Sequence, residues 1–574
     1  MLSVRRRVGE GLLFRWFLGL TAFLVASGVL AGEAGAQGVP SVPDYPGSRP
    51  IPMEPVELEE AGPLRLPPVP PSNPDAISSG VRIRVKEILI QGNTVLDPRA
   101  LAAVSQGYVR RVLDSAQLEA LRSALAGLYI QAGFVNTQVL LPDQDLSEGV
   151  LRIQVEEGRL DRVEIRGEGH YRESYLASRL QGLEGEPLNA YVLERRLRAL
   201  EQEPGLRTIR ARLVPGVTPS GAILEVEVVE SRRFGAALDF GNELNPLIGE
   251  MAGHVSASVL NPLGIGDSGL AVFGLSEGLR DILIQYQVPL SQWGTRLGLD
   301  FRFTDAAIVD DDLAGFDVDS RYWMGALDLG QTLWSGNGSS LVAGVRAEWR
   351  QSRSTVGGIP FAFTDAADAN GEVRDSVLRI YQEWTTRTAN QALALRSTWS
   401  IGLDILGATS GPKDTAEFAA WLGQAQWRWR HAESGIEVGF RGSVQLALDP
   451  LLPFERYSVG GYYSVRGYRE NLMVRDNGYA LGLELSLPLK VDPSGRSVFR
   501  AGPFADFGRS WSHDRGGEGG DANLASVGVN VMWSPVEWLQ ADFSYGAQLL
   551  SVAPVGNVGL QDHGISFRVY ARWP

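Results

Sequence analysis

Between residues 233 and 573 the chain alternates in character residue by residue, in sixteen separate segments. In 479–489 the odd positions read Tyr479, Leu481, Leu483, Leu485, Leu487 and Leu489, while the even ones read Ala480, Gly482, Glu484, Ser486 and Pro488. In 499–508 the odd positions are Phe499, Ala501, Pro503, Ala505 and Phe507, and the even ones Arg500, Gly502, Phe504, Asp506 and Gly508. A period of two belongs to strands with one apolar and one polar face. The segments fall at 233–241, 251–260, 268–275, 279–289, 295–303, 321–334, 340–352, 376–386, 392–404, 417–430, 435–448, 479–489, 499–509, 525–533, 539–547 and 564–573. Short connections (290–294, 335–339, 431–434, 534–538) alternate with long polar ones (304–319, 353–375, 449–478). A soluble sandwich does not account for Leu, Val and aromatics on one face of so many strands with polar residues opposite. A barrel in lipid does, because its strands satisfy every backbone group between themselves and carry short turns at one end and long loops at the other. An even strand count puts both ends of the barrel on the same side of the membrane.

The N-terminus reads as an export signal. Arg5, Arg6 and Arg7 precede an apolar stretch at 16–30, and Ala34-Gly35-Ala36 forms a small-residue cleavage site before Gln37. That pattern predicts a signal peptide over residues 1–36. Residues 37–81 form a linker in which 37–80 hold twelve of the 31 prolines, a composition that gives an extended spacer and no packed core.

Helical spacing recurs between the spacer and the barrel and ends after Ser231. A strand at 85–91 is followed by Asp97-Pro98, which opens a short helix, and by Asp114 with Gln117, which forms a capping box. Leu118, Leu121, Leu125, Leu128 and Ala132 then recur at helical spacing until Gly133, and strands are expected at 134–141 and 150–156. The order repeats: strand 160–166, helix 173–181, a second helix from Asn189 with Leu193, Leu197 and Leu200 inward, then strands 206–213 and 222–229. Two consecutive βααββ units, 82–157 and 158–231, resemble POTRA domains, α+β periplasmic modules that hold unfolded clients by adding a strand to a sheet edge. The resemblance makes the second strand that edge, so Leu206 to Leu213 is the candidate partner-binding strand. The fold class is therefore two α+β periplasmic modules followed by an all-β, 16-stranded transmembrane antiparallel barrel at 232–574.

One loop carries more information than the others. Ser458 opens a Gly- and Tyr-rich run that ends in Val465-Arg466-Gly467-Tyr468, and Phe504-x-Asp506-x-Gly508 follows on the next strand but one. The two motifs in this order resemble the barrel signature of two-partner secretion transporters, the hemolysin secretion/activation proteins of the POTRA-bearing barrel superfamily. That resemblance implies that the loop folds back into the barrel and that Arg466 contacts Asp506 on the inner wall. A guanidinium offers a planar fork that a carboxylate accepts bidentately, a geometry lysine does not provide. Members often begin with a helix that plugs the barrel, for which this sequence offers only the short stretch 53–61. The closing segment, with Ile565, Phe567, Val569, Ala571 and Trp573 on one face, resembles the signal read by the barrel-assembly machinery.

The remaining chemistry is sparse. The absence of cysteine excludes disulfides, thiolate metal sites and a thiol nucleophile, and a net charge of −14 argues against nucleic acid as a partner. Gly264-Ile-Gly266-Asp-Ser-Gly269 matches a dinucleotide fingerprint but joins two strands, so it is expected to be a hairpin turn. Asp310-Asp311-Asp312 and the stretch from Asp365 to Glu372 read as solvated acidic loops. An EF-hand alignment of the latter puts Ala366 and Val377 where the outer ligands belong. The five histidines are scattered without a metal-binding pair, and no catalytic site, metal site or cofactor is expected. The reading is an outer-membrane channel, not an enzyme, with its N-terminal domains in the periplasm. It is expected to be a monomer that exports an adhesin- or hemolysin-type exoprotein, unfolded in transit, and to contact outer-membrane lipid and the machinery that inserts it. An outer-membrane protein assembly insertase of the same superfamily and a passive porin are the alternatives.

Overall fold

The computed structural model describes residues 82–573 except 168, 181, 202, 204, 219, 312–313, 337, 514–521 and 553–557. The expected signal peptide, the Pro-rich linker and the short helix at 53–61 lie outside the described residues.

The first module contains β1 (Ile83–Val85), β2 (Glu87–Gln91), α1 (Pro98–Ser105), β3 (Arg111–Leu113), α2 (Ser115–Gln131), β4 (Gln138–Leu140) and β5 (Val150–Glu156). The α2 capping box forms as expected: Gln117 N donates to Asp114 Oδ1 at 2.9 Å and Asp114 N donates to Gln117 Oε1 at 3.1 Å. Leu118, Leu121 and Leu125 are buried, Leu128 packs half-buried against the same core, and the next fully buried position is Tyr129. A helix turns 3.6 residues per turn, so a strict three-four-three count drifts off the face, and the Tyr129 hydroxyl donates to Asn93 Oδ1 at 2.7 Å. The strand expected at 134–141 narrows to Gln138–Leu140, because a turn from Phe134 to Thr137 occupies its start.

The second module contains β6 (Arg159–Arg166), α3 (Glu173–Arg179), α4 (Ala190–Glu201), β7 (Leu206–Pro215) and β8 (Gly221–Glu230). Leu193, Leu197 and Leu200 are buried against Leu160, Leu224 and Val226. Both modules carry a three-stranded sheet whose last strand is central, in the orders β2-β5-β4 and β6-β8-β7. Strand β7 therefore lies at an edge and, among the described residues, pairs only with β8, antiparallel.

The remaining strands are β9 (Phe234–Gly241), β10 (Ala252–Leu260), β11 (Ser268–Leu275), β12 (Leu279–Pro289), β13 (Thr295–Ala307), β14 (Val318–Gly336), β15 (Ser339–Val356), β16 (Ile359–Pro360), β17 (Glu372–Arg387), β18 (Gln391–Gly402), β19 (Ala419–Arg430) and β20 (Glu437–Ala447). They continue with β21 (Tyr457–Val459), β22 (Met473–Arg475), β23 (Asn477–Val491), β24 (Ser497–Trp511), β25 (Ala522–Val536), β26 (Leu539–Gln548) and β27 (Ile565–Trp573). All except the hairpin β21–β22 belong to a closed antiparallel barrel, which β27 completes by pairing with β9. Strand β16 is a two-residue return onto β15, so sixteen strands form the wall. Several wall strands, β14, β15 and β17 among them, run up to four residues past the expected ends on the loop side. Polar strand extensions there lack an apolar face, so alternation does not reveal them.

The outer surface is apolar. Leu481, Leu483, Phe507, Val527, Val529, Phe543 and Tyr545 point outward and remain exposed, alternating with inward neighbours. A contiguous apolar belt of this kind is stable only when lipid covers it. Near the short turns Trp538 stacks on Trp573 with ring centroids 5.7 Å apart, matching the aromatic girdle of such barrels. Among the described residues no helix is long and apolar enough to cross a membrane.

One sequence reading gains a second role and another changes. The turn at Gly264–Gly269 is a hairpin turn as expected, but it also receives the second module: Arg172 N donates to Gly264 O at 2.9 Å. The acidic loops are not simply solvated, since Asp310 is buried. Asp368 closes a turn by accepting from Asn370 N at 2.8 Å and Glu372 N at 3.0 Å, and it pairs with Arg374 at 2.8 Å. A short carboxylate close to free backbone N–H groups forms such turns readily. Among the described residues no cluster of His, Cys, Asp or Glu could hold a metal ion.

Candidate functional site: the loop folded into the barrel

The connection between β20 and β23 does not extend away from the barrel. It turns inward as the β21–β22 hairpin, with Tyr457 and Val459 opposite Arg475 and Met473, and its apolar residues find partners inside the lumen. Tyr457, Val459, Val465, Tyr468 and Met473 form a buried cluster with Leu524 of the wall. Residues of this kind at the tip of a surface loop would be exposed to water; folded inward they are hidden on both sides.

Arg466 and Asp506 meet inside. Arg466 Nε donates to Asp506 Oδ2 at 2.8 Å, Nη2 donates to Oδ1 at 3.1 Å, and the Arg466 backbone N–H reaches Oδ2 at 3.1 Å. The residues are 4% and 3% exposed, so the fork is shielded from solvent. The guanidinium also lies over the Phe504 ring, 3.6 Å from its centroid. Phe504, Asp506 and Gly508 thus share the inner face of β24, as alternation requires. A cation held between a carboxylate and an aromatic face gains from both, and more when desolvated.

The flanking residues explain how close the loop lies to the wall. A Cβ at Gly508 would sit 2.5 Å from Val459 Cγ1 and 2.8 Å from Val465 Cγ2. Gly467 adopts φ +93°, and a Cβ there would press on the Gly546 carbonyl oxygen at 2.6 Å. The Tyr468 hydroxyl sits between the Ala525 and Leu550 carbonyl oxygens, at 2.8 and 2.7 Å, and donates its single proton between them.

Two partners were not anticipated. Arg441 of β20 donates to Asp506 Oδ2 at 2.9 Å, and Glu484 of β23 accepts from Arg466 Nη1 at 2.6 Å. The register puts Arg441 beside Gly482 and Gly482 beside Asp506 on three neighbouring strands. A Cβ at Gly482 would lie 2.6 Å from Arg441 Nε and 2.7 Å from Asp506 Oδ1, so its absence lets the two ions meet across the middle strand. Alternation in β20 marks Arg441 as luminal, but its partner depends on register. The far side of the loop reaches the strands that close the barrel: Arg469 Nη2 donates to Asp562 Oδ2 at 2.7 Å, and the Tyr463 hydroxyl to Glu243 Oε2 at 2.7 Å.

The candidate edge strand is separate from this site. Leu206–Pro215 alternates exposed arginines with inward Ile209, Ala211 and Leu213, and its outer edge has no strand partner among the described residues.

Comparison with known proteins gives the same architecture. Residues 83–158 match the POTRA domain, ShlB-type, and residues 220–532 match the haemolysin secretion/activation protein ShlB/FhaC/HecB. The outer membrane transporter CdiB of Dickeya dadantii is 23% identical over 511 residues, covering 83% of this chain and 84% of that protein. An Escherichia coli outer membrane transporter CdiB is 24% identical over 443 residues, 75% of this chain and 73% of its own length. Among solved structures, CdiB from Escherichia coli superposes with a TM-score of 0.66 at 21% identity over 90% of this chain and 94% of that one. CdiB from Acinetobacter baumannii gives 0.62 at 16% identity, covering 98% of both chains. The family match spans more than half of the residues: this chain belongs to the haemolysin secretion/activation protein family, ShlB/FhaC/HecB.

Proposed function

We propose that the chain exports one large partner exoprotein, captured by its periplasmic modules, through a barrel whose conducting state is set by the Arg466 loop. Family membership makes it an outer-membrane channel of the two-partner secretion type, with the N-terminal modules in the periplasm. The observation that carries the finer reading is the buried fork between Arg466 and Asp506, which ties the hairpin to the inner wall of the barrel. The client docks by adding a strand to β7, whose backbone edge has no strand partner among the described residues. It is of adhesin or hemolysin type, passes unfolded, and is drawn outward because segments that fold outside cannot slip back. A single chain closes the barrel, so a monomer suffices. The chain performs no catalysis, uses no cofactor and takes no nucleic acid; lipid covers its belt, and the barrel-assembly machinery inserts it through β27.

The direct test is Arg466→Ala in the intact chain. Secretion of the client should stop while the barrel remains inserted, shown by heat-dependent migration on gels. Normal secretion by that variant would remove the role assigned to the loop.

A further inference from the structure

The base of the same loop is held by a second ion network with its own wall residues. A short turn at Pro453–Glu455 brings the Glu455 carboxylate, 2% exposed, against β15 and β17. Arg379 Nη2 donates to Glu455 Oε1 at 2.7 Å and Nη1 donates to Oε2 at 3.0 Å, and Arg350 Nη2 also donates to Oε1. Gln445 Nε2 fixes the Glu455 carbonyl oxygen at 2.7 Å. The strands that bear these arginines are separated from β24 by β18, β19, β20 and β23, so this contact and the Arg466 fork grip the loop from different parts of the wall.

The charge balance of the wall is informative. Arg350 already holds Asp375, with Nε to Oδ1 at 2.9 Å, and Arg379 already holds Glu348, with Nε to Oε2 at 2.9 Å. Arg346 lies against Glu348 and Asp300. Among the described residues, three wall guanidiniums therefore face three wall carboxylates before Glu455 is counted, and Asp328 and Arg396 beside Arg346 add one charge of each sign. Asp506 is placed similarly, because Arg441 stays beside it whether or not Arg466 does. An ion that leaves an uncompensated buried partner is held almost permanently, whereas one that leaves a balanced pair can dissociate and return.

We infer that Glu455 is a positioning residue for gating: a second, releasable latch that keeps the root of the loop against β15 and β17 near the outer mouth. The inference rests on the loop-gated channel reading. Conductance needs no client, so it is read separately from secretion. The experiment is single-channel recording of the purified full chain in planar bilayers, comparing the parent with Glu455→Gln, Glu455→Asp, Arg379→Gln and the double variant Glu455→Gln/Arg379→Gln. Glu455→Gln should raise the frequency of full openings by about tenfold, equivalent to about 1.4 kcal/mol in the loop's equilibrium. Glu455→Asp should restore most of the quiet baseline. The double variant should open no more often than the more active single one, because both remove the same contact. Parent-like traces from Glu455→Gln in a folded barrel would overturn the inference. Failure of that variant to give a heat-modifiable barrel would also overturn it, making Glu455 a folding residue instead. A silent Arg466→Ala phenotype in secretion would sink the function proposed above without touching the Glu455 recordings.

Discussion

Asp506→Asn should release the loop more than Arg466→Gln does, although the two residues face each other in one fork. Asp506 accepts three bonds from Arg466 and one from Arg441. Removing its charge leaves the buried Arg466 guanidinium beside the partly buried Arg441, with Glu484 as the nearest anion, at 2.6 Å from Arg466 Nη1. Removing Arg466 leaves Asp506 still paired with Arg441 at 2.9 Å. Stranding a buried charge costs about 3–5 kcal/mol, whereas losing a hydrogen bond to a charged group whose partner stays satisfied costs about 1.5–3 kcal/mol. Taking about 3 against about 2 kcal/mol, the ratio of displaced to seated loop rises by more than about a hundredfold in the first variant and by about thirtyfold in the second. Limited trypsin digestion of the folded protein in detergent reads that ratio, because slow cleavage follows the population of the open form, and Arg456, Arg469 and Arg475 remain as sites in both variants. Adding Arg441→Gln to Asp506→Asn removes one stranded cation and should slow cleavage again. Equal cleavage of both single variants, or faster cleavage of Arg466→Gln, would refute the reasoning about compensated and uncompensated charge.

Other outcomes follow from the same structure. Gly508→Val should exclude the hairpin from the wall at a cost of about 1–3 kcal/mol, since even a Cβ would meet Val459 and Val465 inside 3 Å; the readout is a rise in channel openings. Gly266→Ala should loosen the second module from the barrel by a similar amount, because a Cβ would lie 2.6 Å from Glu203 Oε2 and the residue sits at φ +75°; faster hydrogen exchange in α3 would show it. Glu203 pairs with Arg179 at 3.0 Å in that interface, and burial raises its carboxyl above the ordinary carboxylate range against the pull of Arg179. The docked state then binds the proton more tightly than the undocked one. Docking should therefore strengthen as pH falls from neutral toward the ordinary carboxylate value and level off below it. Glu203→Gln should make α3 exchange independent of pH over that window. Proline substitution along Ile209–Leu213 should abolish secretion only at alternate positions, those whose N–H points away from β8.

The barrel was legible because lipid outside and water inside impose a period of two on every wall strand, and the observed strand bounds follow that period closely. The strand ends beyond the membrane were not, as at the outer ends of β15 and β17, where nothing apolar faces outward. The Arg466–Asp506 contact was reached through paired motifs, and Glu484 could be placed on the inner face by counting. Arg441 and Glu455 could be assigned to the lumen or its mouth, but their partners depend on which strands stand side by side in a closed sheet. Pairing across residues hundreds apart has no local signature. The glycine turn at Gly264–Gly269 is legible as a hairpin, yet the reason for Gly264 and Gly266, room for His170 and Arg172 and for Glu203 and Tyr175 of another module, emerges only when the modules are assembled.

The most direct measurement is quantitative proteomics of the culture medium and the outer membrane after removal of this chain. One large exoprotein should vanish from the medium, reappear with the wild-type chain and stay absent with Arg466→Ala, while other outer-membrane proteins keep their levels. An unchanged medium, or a general loss of outer-membrane proteins, would contradict export of a dedicated partner.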